Sequence, residues 1–263
     1  MKLISVLISL LVLALSGFRA TDRVDKTSES VVLIELFTSQ GCLSCPAADQ
    51  LLGEIISKSE KEGKPVLGLS FHVSYWNHLG WKDPYSSVQF TARQRKYAEI
   101  LRLQSIYTPQ MIVNGKYELV GSDRFALSES IDKARKEIPL YKIHAKAKTQ
   151  GNEVVVHYAL DKEPQGEIIS VALIESSVEN RVTRGENKDK ILKHSNVVRK
   201  LEVVNVAQAG EVIITIPKKM DLRKGSIILY VQDPYSLNVL AAVKVGIDGT
   251  SGHAELARDV STN

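Results

Sequence analysis

Both cysteines of this chain fall in one stretch, Glu35–Ile55 (ELFTSQGCLSCPAADQLLGEI), and its surroundings restrict the fold more than any other feature. Val31–Phe37 is apolar and rich in β-branched residues, which reads as a buried strand. Cys42 and Cys45 form a C-x-x-C, and Pro46 suits the first turn of a helix. Ala48, Leu51, Leu52, Ile55 and Ile56 follow at helical spacing, with Gly63 as a stop. A thiol pair between a buried strand and an amphipathic helix has a specific chemistry. The helix dipole favours thiolate on the first sulfur, moving a cysteine from a pKa of about 8.5 into the range of about 3.5–7.5. The second sulfur lies one turn inward, where it can resolve a mixed disulfide. Three uses remain open: a redox pair, part of a metal site, or a small structural clip.

The next segments continue the alternation of strand and helix. Pro65–Val73 reads as a second buried strand, and Ser86 or Ser87 as the cap of a helix to about Leu103. Arg93, Gln94, Arg95 and Lys96 are expected on the outer side of that helix. Met111–Val113 and Tyr117–Val120 flank Asn114-Gly115, a strong hairpin signal because both turn positions need positive φ. Asp123 to about Lys136 reads as a helix, giving β-α-β-α-β-β-α over residues 31–138. After Pro139 the texture changes: short alternating strands at Tyr141–Ala147, Val154–Leu160, Ile168–Ile174, Val212–Ile216, Ile227–Val231 and Val239–Val245 suggest a smaller β-sandwich over residues 139–246. Residues 247–263 are polar and Gly-rich and read as a flexible tail.

Lys2 followed by the apolar run Leu3–Leu15 fits a signal peptide, residues 1–16, cut after Ser16 or at the second position, Ala20. Residues 17–30 then form a polar leader. Such a chain is expected to be secreted or periplasmic, with no stable membrane insertion after cleavage. An oxidising compartment permits a disulfide. The net charge of +4 is small and its charges are interspersed, so nucleic acid is not an expected partner. No cofactor is called for.

Tyr107-Thr108-Pro109-Gln110 stands immediately before the hairpin. With the C-x-x-C and the strand order, it resembles the thioredoxin superfamily. That resemblance implies a cis Thr108-Pro109 bond facing the cysteines, where Tyr107, Thr108, Pro109 and Gln110 help to bind extended peptide. It also implies that an acid near the strand end, here Glu35, accepts the buried cysteine's proton, although this chain has one extra residue in the turn. Phe71–Ser87 (FHVSYWNHLGWKDPYSS) gathers His72, Tyr75, Trp76, His78 and Trp81 in a loop. Of these, His72, Trp76 and Trp81 are candidates for a substrate wall beside the redox pair.

The motifs ELFTSQGC-x-x-CP, FHV-x-YW-x-x-LGWKDP, FTARQR-x-Y and YTPQM-x-VNG narrow the resemblance to the exported proteins of domain of unknown function 1223. Thr183–Arg199 (TRGENKDKILKHSNVVR) is similar to a second block of that family. Here Arg184, Glu186, Asn187, His194 and Arg199 could build a polar network, or the block could be a loop joining sandwich strands. Ser74 and Asn77 stand where the family usually has acids, and Asp189 where it has Gly.

Three functions compete. In the first, a thiol-disulfide oxidoreductase, Cys42 attacks, Cys45 resolves, Thr108 and Pro109 position a protein or peptide substrate, and a separate redox partner recycles the pair. In the second, Cys42 and Cys45 with His72 or His78 hold copper or zinc, although 26 residues separate Cys45 from His72. In the third, a non-catalytic binding module keeps the cysteines as a structural disulfide.

Overall fold

The computed structural model describes residues 31–64 and 66–248. The expected signal segment 1–16, the leader 17–30 and most of the expected tail lie outside them. The described order is β1 (Val32–Thr38), α1 (Cys45–Glu62), β2 (Val66–His72), a 3-10 turn (Asn77–Leu79), α2 (Val88–Ile100), β3 (Gln110–Val113), β4 (Tyr117–Val120) and α3 (Arg124–Ala134). Then come β5 (Ile143–Gln150), β6 (Glu153–Leu160), β7 (Ile168–Arg181), β8 (Ile191–Asn205), β9 (Ala209–Thr215), β10 (Gly225–Gln232) and β11 (Val239–Gly246).

Local chemistry sets the boundaries. Pro46 occupies the first turn of α1, and Gly63 closes it at φ 64°. Ser87 caps α2 by accepting from Gln89 N–H, and Asp123 caps α3 by accepting from Ala126 N–H. Asn114 and Gly115 turn the β3–β4 hairpin at φ 48° and 71°. At Gly115 a Cβ would meet the Leu237 carbonyl oxygen at 2.0 Å, so this position needs glycine for space as well as for φ.

The topology corrects the expectation of a thioredoxin-like α/β domain followed by a separate small sandwich. One mixed sheet of eight strands, in the order β11-β10-β7-β8-β2-β1-β3-β4, runs through both halves of the sequence. Its seam is β8, which pairs parallel with β2 at Ser70 and Val197. Ser70 Oγ donates to the Ser195 carbonyl at 2.8 Å, and Asn196 Nδ2 donates to the Gly68 carbonyl at 3.0 Å. A second sheet has three strands, β5-β6-β9. Helix α2 covers one face of the large sheet across the seam, over Leu33, Phe71, Ala172, Val198 and Tyr230. Helices α1 and α3 cover the opposite side of β1 and β3, while the small sheet covers Ile169, Val171, Leu229 and Val231.

Of the block Thr183–Arg199, expected as a polar network or a joining loop, residues 183–190 form the tip of the long β7–β8 hairpin and the rest belongs to its second arm, β8. Its polar run Lys193-His194-Ser195-Asn196 and a register shift opposite Leu173/Ile174 break the alternation that signals a strand. At the other end, Ile247 is buried and Asp248 accepts from Thr149 N–H and Oγ1, so the first two residues of the expected tail are held. Among the described residues, no helix is long and apolar enough to cross a membrane.

Candidate functional site

Cys42 and Cys45 form a disulfide with a Cα–Cα separation of 5.5 Å. Cys45 is the first residue of α1, and Cys42 lies in the turn before it, with Cys45 N–H donating to the Cys42 carbonyl at 3.3 Å. The Thr108-Pro109 peptide is cis. It faces the pair: Cys42 Sγ is 3.8 Å from the Thr108 carbonyl oxygen. On the other side Ser44 Oγ lies 3.4 Å from Cys42 Sγ. Gly121 supports this geometry, because a Cβ there would press on Pro109, Leu36 and Ala48 at 3.1–3.2 Å.

Of the expected wall, Trp76 stands closest. Its Nε1 donates to Thr108 Oγ1 at 2.7 Å, and its Cβ limits the space above Gly41. Trp81 Nε1 donates instead to Gln40 Oε1 at 3.1 Å. Tyr107 hydroxyl donates to Glu118, and Gln110 Nε2 donates to the same carboxylate at 2.9 Å. Gln94, expected on the outer side of α2, is buried and donates to the Tyr107 carbonyl at 2.7 Å and to Gln110 Oε1 at 2.9 Å, which fixes the approach to Pro109.

The tip of the β7–β8 hairpin straps the cysteine turn from above. Asn187 Nδ2 donates to the carbonyls of Gln40 and Cys42 at 3.0 and 2.9 Å, and Leu43 N–H donates to Glu186 at 2.9 Å. Cys42 is consequently only 1% exposed, while Leu43 beside it is 59% exposed. Gln40 is the hub beneath the strap. Its amide donates to Asn180 Oδ1 at 2.6 Å and toward His194 Nε2 at 3.1 Å, while its backbone N–H donates to Asp83 at 2.8 Å.

Under the turn lies a buried chain of two histidines and two acids. His72 Nδ1 is 2.7 Å from Asp83 Oδ2, the two imidazole centres are 4.6 Å apart, and His194 Nδ1 is 3.3 Å from Asp49 Oδ1. The last contact is an ion-pair distance outside hydrogen-bond alignment, so neither atom has a hydrogen-bond partner. Burial pushes the Asp83 carboxyl up, but His72 and the backbone N–H groups of Gln40 and Tyr85 outweigh it and hold it below the usual range. Burial pulls His194 down, yet Asp49 and Asp83 outweigh that and raise it above an ordinary histidine. Because Gln40 donates to Nε2, neutral His194 carries its proton on Nδ1, toward Asp49.

Glu35 is elsewhere. Strand parity sends Val32, Ile34 and Leu36 toward α1 but Leu33, Glu35 and Phe37 toward α2. There Arg93 Nε and Nη2 donate to its carboxylate at 2.5 and 2.8 Å, and Tyr97 hydroxyl donates at 2.5 Å. Arg93 is thus buried rather than on the outer side of α2, neutralised by Glu35 and ringed by Phe71, Tyr97 and Tyr230. Burial works against its charge, but Glu35 more than offsets this and holds the guanidinium well above its ordinary value. His78 is exposed and bonded to the Tyr75 carbonyl at 2.7 Å. Among the described residues no three His, Cys, Asp or Glu side chains gather in a metal-holding group.

Sequence reasoning missed Asp49, Gln40 and Asn180 as members of the site. Asp49 carried a signal, since it is an acid set between Ala48 and Leu52 within the apolar stripe of α1. Asn180 carried none, because only the β7–β8 pairing brings it back over the cysteines.

The site is thus a strapped disulfide at a helix start, facing a cis-proline on one large mixed sheet. The chain belongs to the family described as Protein of unknown function (DUF1223), whose profile matches residues 33–232. Among solved structures it is similar to protein AGR_C_4864 from Agrobacterium tumefaciens, at 28% identity and a TM-score of 0.61, over 81% of this chain and 92% of that one. A domain of the outer membrane lipoprotein Omp28 from Porphyromonas gingivalis matches at 17% identity and a TM-score of 0.27, over 42% of this chain and 90% of that one. No curated protein matches.

Proposed function

We propose that this protein is an exported thiol-disulfide oxidoreductase acting through Cys42 and Cys45 on protein or peptide substrates, recycled by a separate redox partner. The observation that carries the reading is the cysteine pair at the start of α1, with Cys42 Sγ 3.8 Å from the carbonyl that precedes cis-Pro109. Cys42 thiolate attacks a substrate disulfide, Cys45 resolves the mixed disulfide, and Thr108, Pro109 and Trp76 line the approach. A purely structural role is weakly motivated. Closing a four-residue loop contributes about 2 kcal/mol in the chain-entropy model, against about 3 kcal/mol for 15 residues. Export is supported by the apolar run Leu3–Leu15 after Lys2.

The test is capture. A Cys45→Ser variant incubated with a peptide disulfide accumulates a mixed disulfide at Cys42, detected by mass spectrometry, and Cys42→Ser captures far less. Equal failure of both variants under native conditions, with the peptide in excess, would count against the reading.

A further inference from the structure

If Cys45 resolves mixed disulfides, its thiol proton needs an acceptor inside the protein, and Glu35 faces the other side of the sheet. We infer that Asp49 is the proton acceptor for Cys45, held in place by His194 and Thr38; this rests on the oxidoreductase reading. Asp49 lies four residues after Cys45 on α1, so the two share one face of the helix, and helical side chains lean toward the N-terminus, the direction of Cys45. Both residues are buried, Cys45 at 0% and Asp49 at 4% exposure. A carboxylate so placed normally has its oxygens satisfied. Here Thr38 Oγ1 donates to Oδ2 at 3.2 Å, while Oδ1 faces His194 Nδ1 at 3.3 Å outside hydrogen-bond alignment, which leaves room on the carboxylate for a further donor. On this assignment the Cys45 S–H of the reduced protein is that donor.

The step balances as follows. With Cys42 joined to a substrate sulfur, Cys45 passes its proton to Asp49 and its thiolate attacks Cys42 Sγ. The Cys42–Cys45 bond forms as the bond to the substrate sulfur breaks. That sulfur leaves with the electron pair and takes up a proton, so the protein dithiol has lost two electrons and the substrate disulfide has gained them. The charged and titratable groups around Asp49 are Cys45 on its own helix and His194 on β8, with His72 on β2 and Asp83 behind them. Tyr85 borders both imidazoles and carries Arg199 over its ring, paired with Glu175. His194 acts on Asp49 and not on sulfur, and is a positioning residue.

The experiment separates the two chemical steps. Reduced protein is mixed with glutathione disulfide, quenched by alkylation at intervals, and its free, glutathionylated and internally oxidised forms are counted by mass spectrometry across pH. Asp49→Asn should slow the decay of the glutathionylated form on the order of a hundredfold, the usual worth of a positioned acid or base, so that form accumulates. Asp49→Glu should restore most of the rate. Thr38→Val, which removes a hydrogen bond to the charged carboxylate, should move the acidic limb of the decay profile to higher pH, and it keeps the test open if Asp49→Asn does not fold. Decay in folded Asp49→Asn within twofold of the unsubstituted protein, or an unmoved profile in Thr38→Val, overturns the assignment. If glutathionylated protein never forms even without substitution, the oxidoreductase reading itself fails, which is a different result.

Discussion

Replacing Glu35 by Gln tests whether this acid is a structural partner of Arg93. The pair is almost fully enclosed, with side-chain exposures of 7% for Arg93 and 1% for Glu35. Three donors converge on the carboxylate, from Arg93 Nε, Arg93 Nη2 and Tyr97 hydroxyl. A glutamine offers one oxygen and an N–H2 group that faces donors. Besides that oxygen, Arg93 then keeps Gln232 Oε1 at 3.0 Å, the Tyr97 hydroxyl oxygen at 3.3 Å and three aromatic rings, but no counter-charge. Leaving one member of a buried pair uncompensated costs about 3–5 kcal/mol. At roughly 2–4 °C per kcal/mol for a chain of this size, Tm falls by about 6–20 °C in a calorimetric scan. The double variant Glu35→Met/Arg93→Met should recover most of the loss, because apolar replacements of both partners are often neutral. A Glu35→Gln loss below about 1 kcal/mol, the worth of a surface pair, would refute the buried geometry. The pH profile of thiol exchange should stay put in Glu35→Gln, because its carboxylate points away from α1.

Other substitutions probe the strap and the buried chain. Glu186→Gln removes a negative charge beside Leu43 N–H, so the Cys42 thiol in reduced protein should titrate at lower pH, read from its alkylation rate against pH; an upward shift would contradict this. Asp189 holds φ 66°, so Asp189→Gly relieves about 1–2 kcal/mol of left-handed strain against about 0.5–1 kcal/mol of added chain entropy and should raise stability by about 1 kcal/mol in urea melts, and a loss would show that its side chain is needed. Asp83 has a folded-state value depressed below 3.8, so its stabilising contribution is present above that pH and is lost as pH falls through the folded value. Asp83→Asn should therefore be less stable at neutral pH and show a flatter loss of stability with acid.

How much of this was legible depends on the range of the interaction. The α1 start, the Asn114-Gly115 hairpin and the Ser87 and Asp123 caps are local, and periodicity and turn chemistry reveal them. The joining of the two halves is not local. It rests on β8, whose inward positions include His194, Ser195 and Asn196, polar residues that a hydrophobic pattern reads as loop. The same concealment applies to the site. Gln40 and Asn180 lie 140 residues apart and meet only through that hairpin. Arg93 shows the converse error: a charged residue on a helix suggests solvent until its buried partner, Glu35, is placed opposite.

As a working pair, Cys42 and Cys45 should exchange with small thiols and disulfides. Equilibrating the folded protein with defined glutathione buffers and measuring the oxidised fraction tests it directly. The expected outcome is reversible two-electron exchange with a midpoint between about −120 and −270 mV, the span of dithiol oxidoreductases. A midpoint below about −300 mV, the range of structural disulfides, would contradict it.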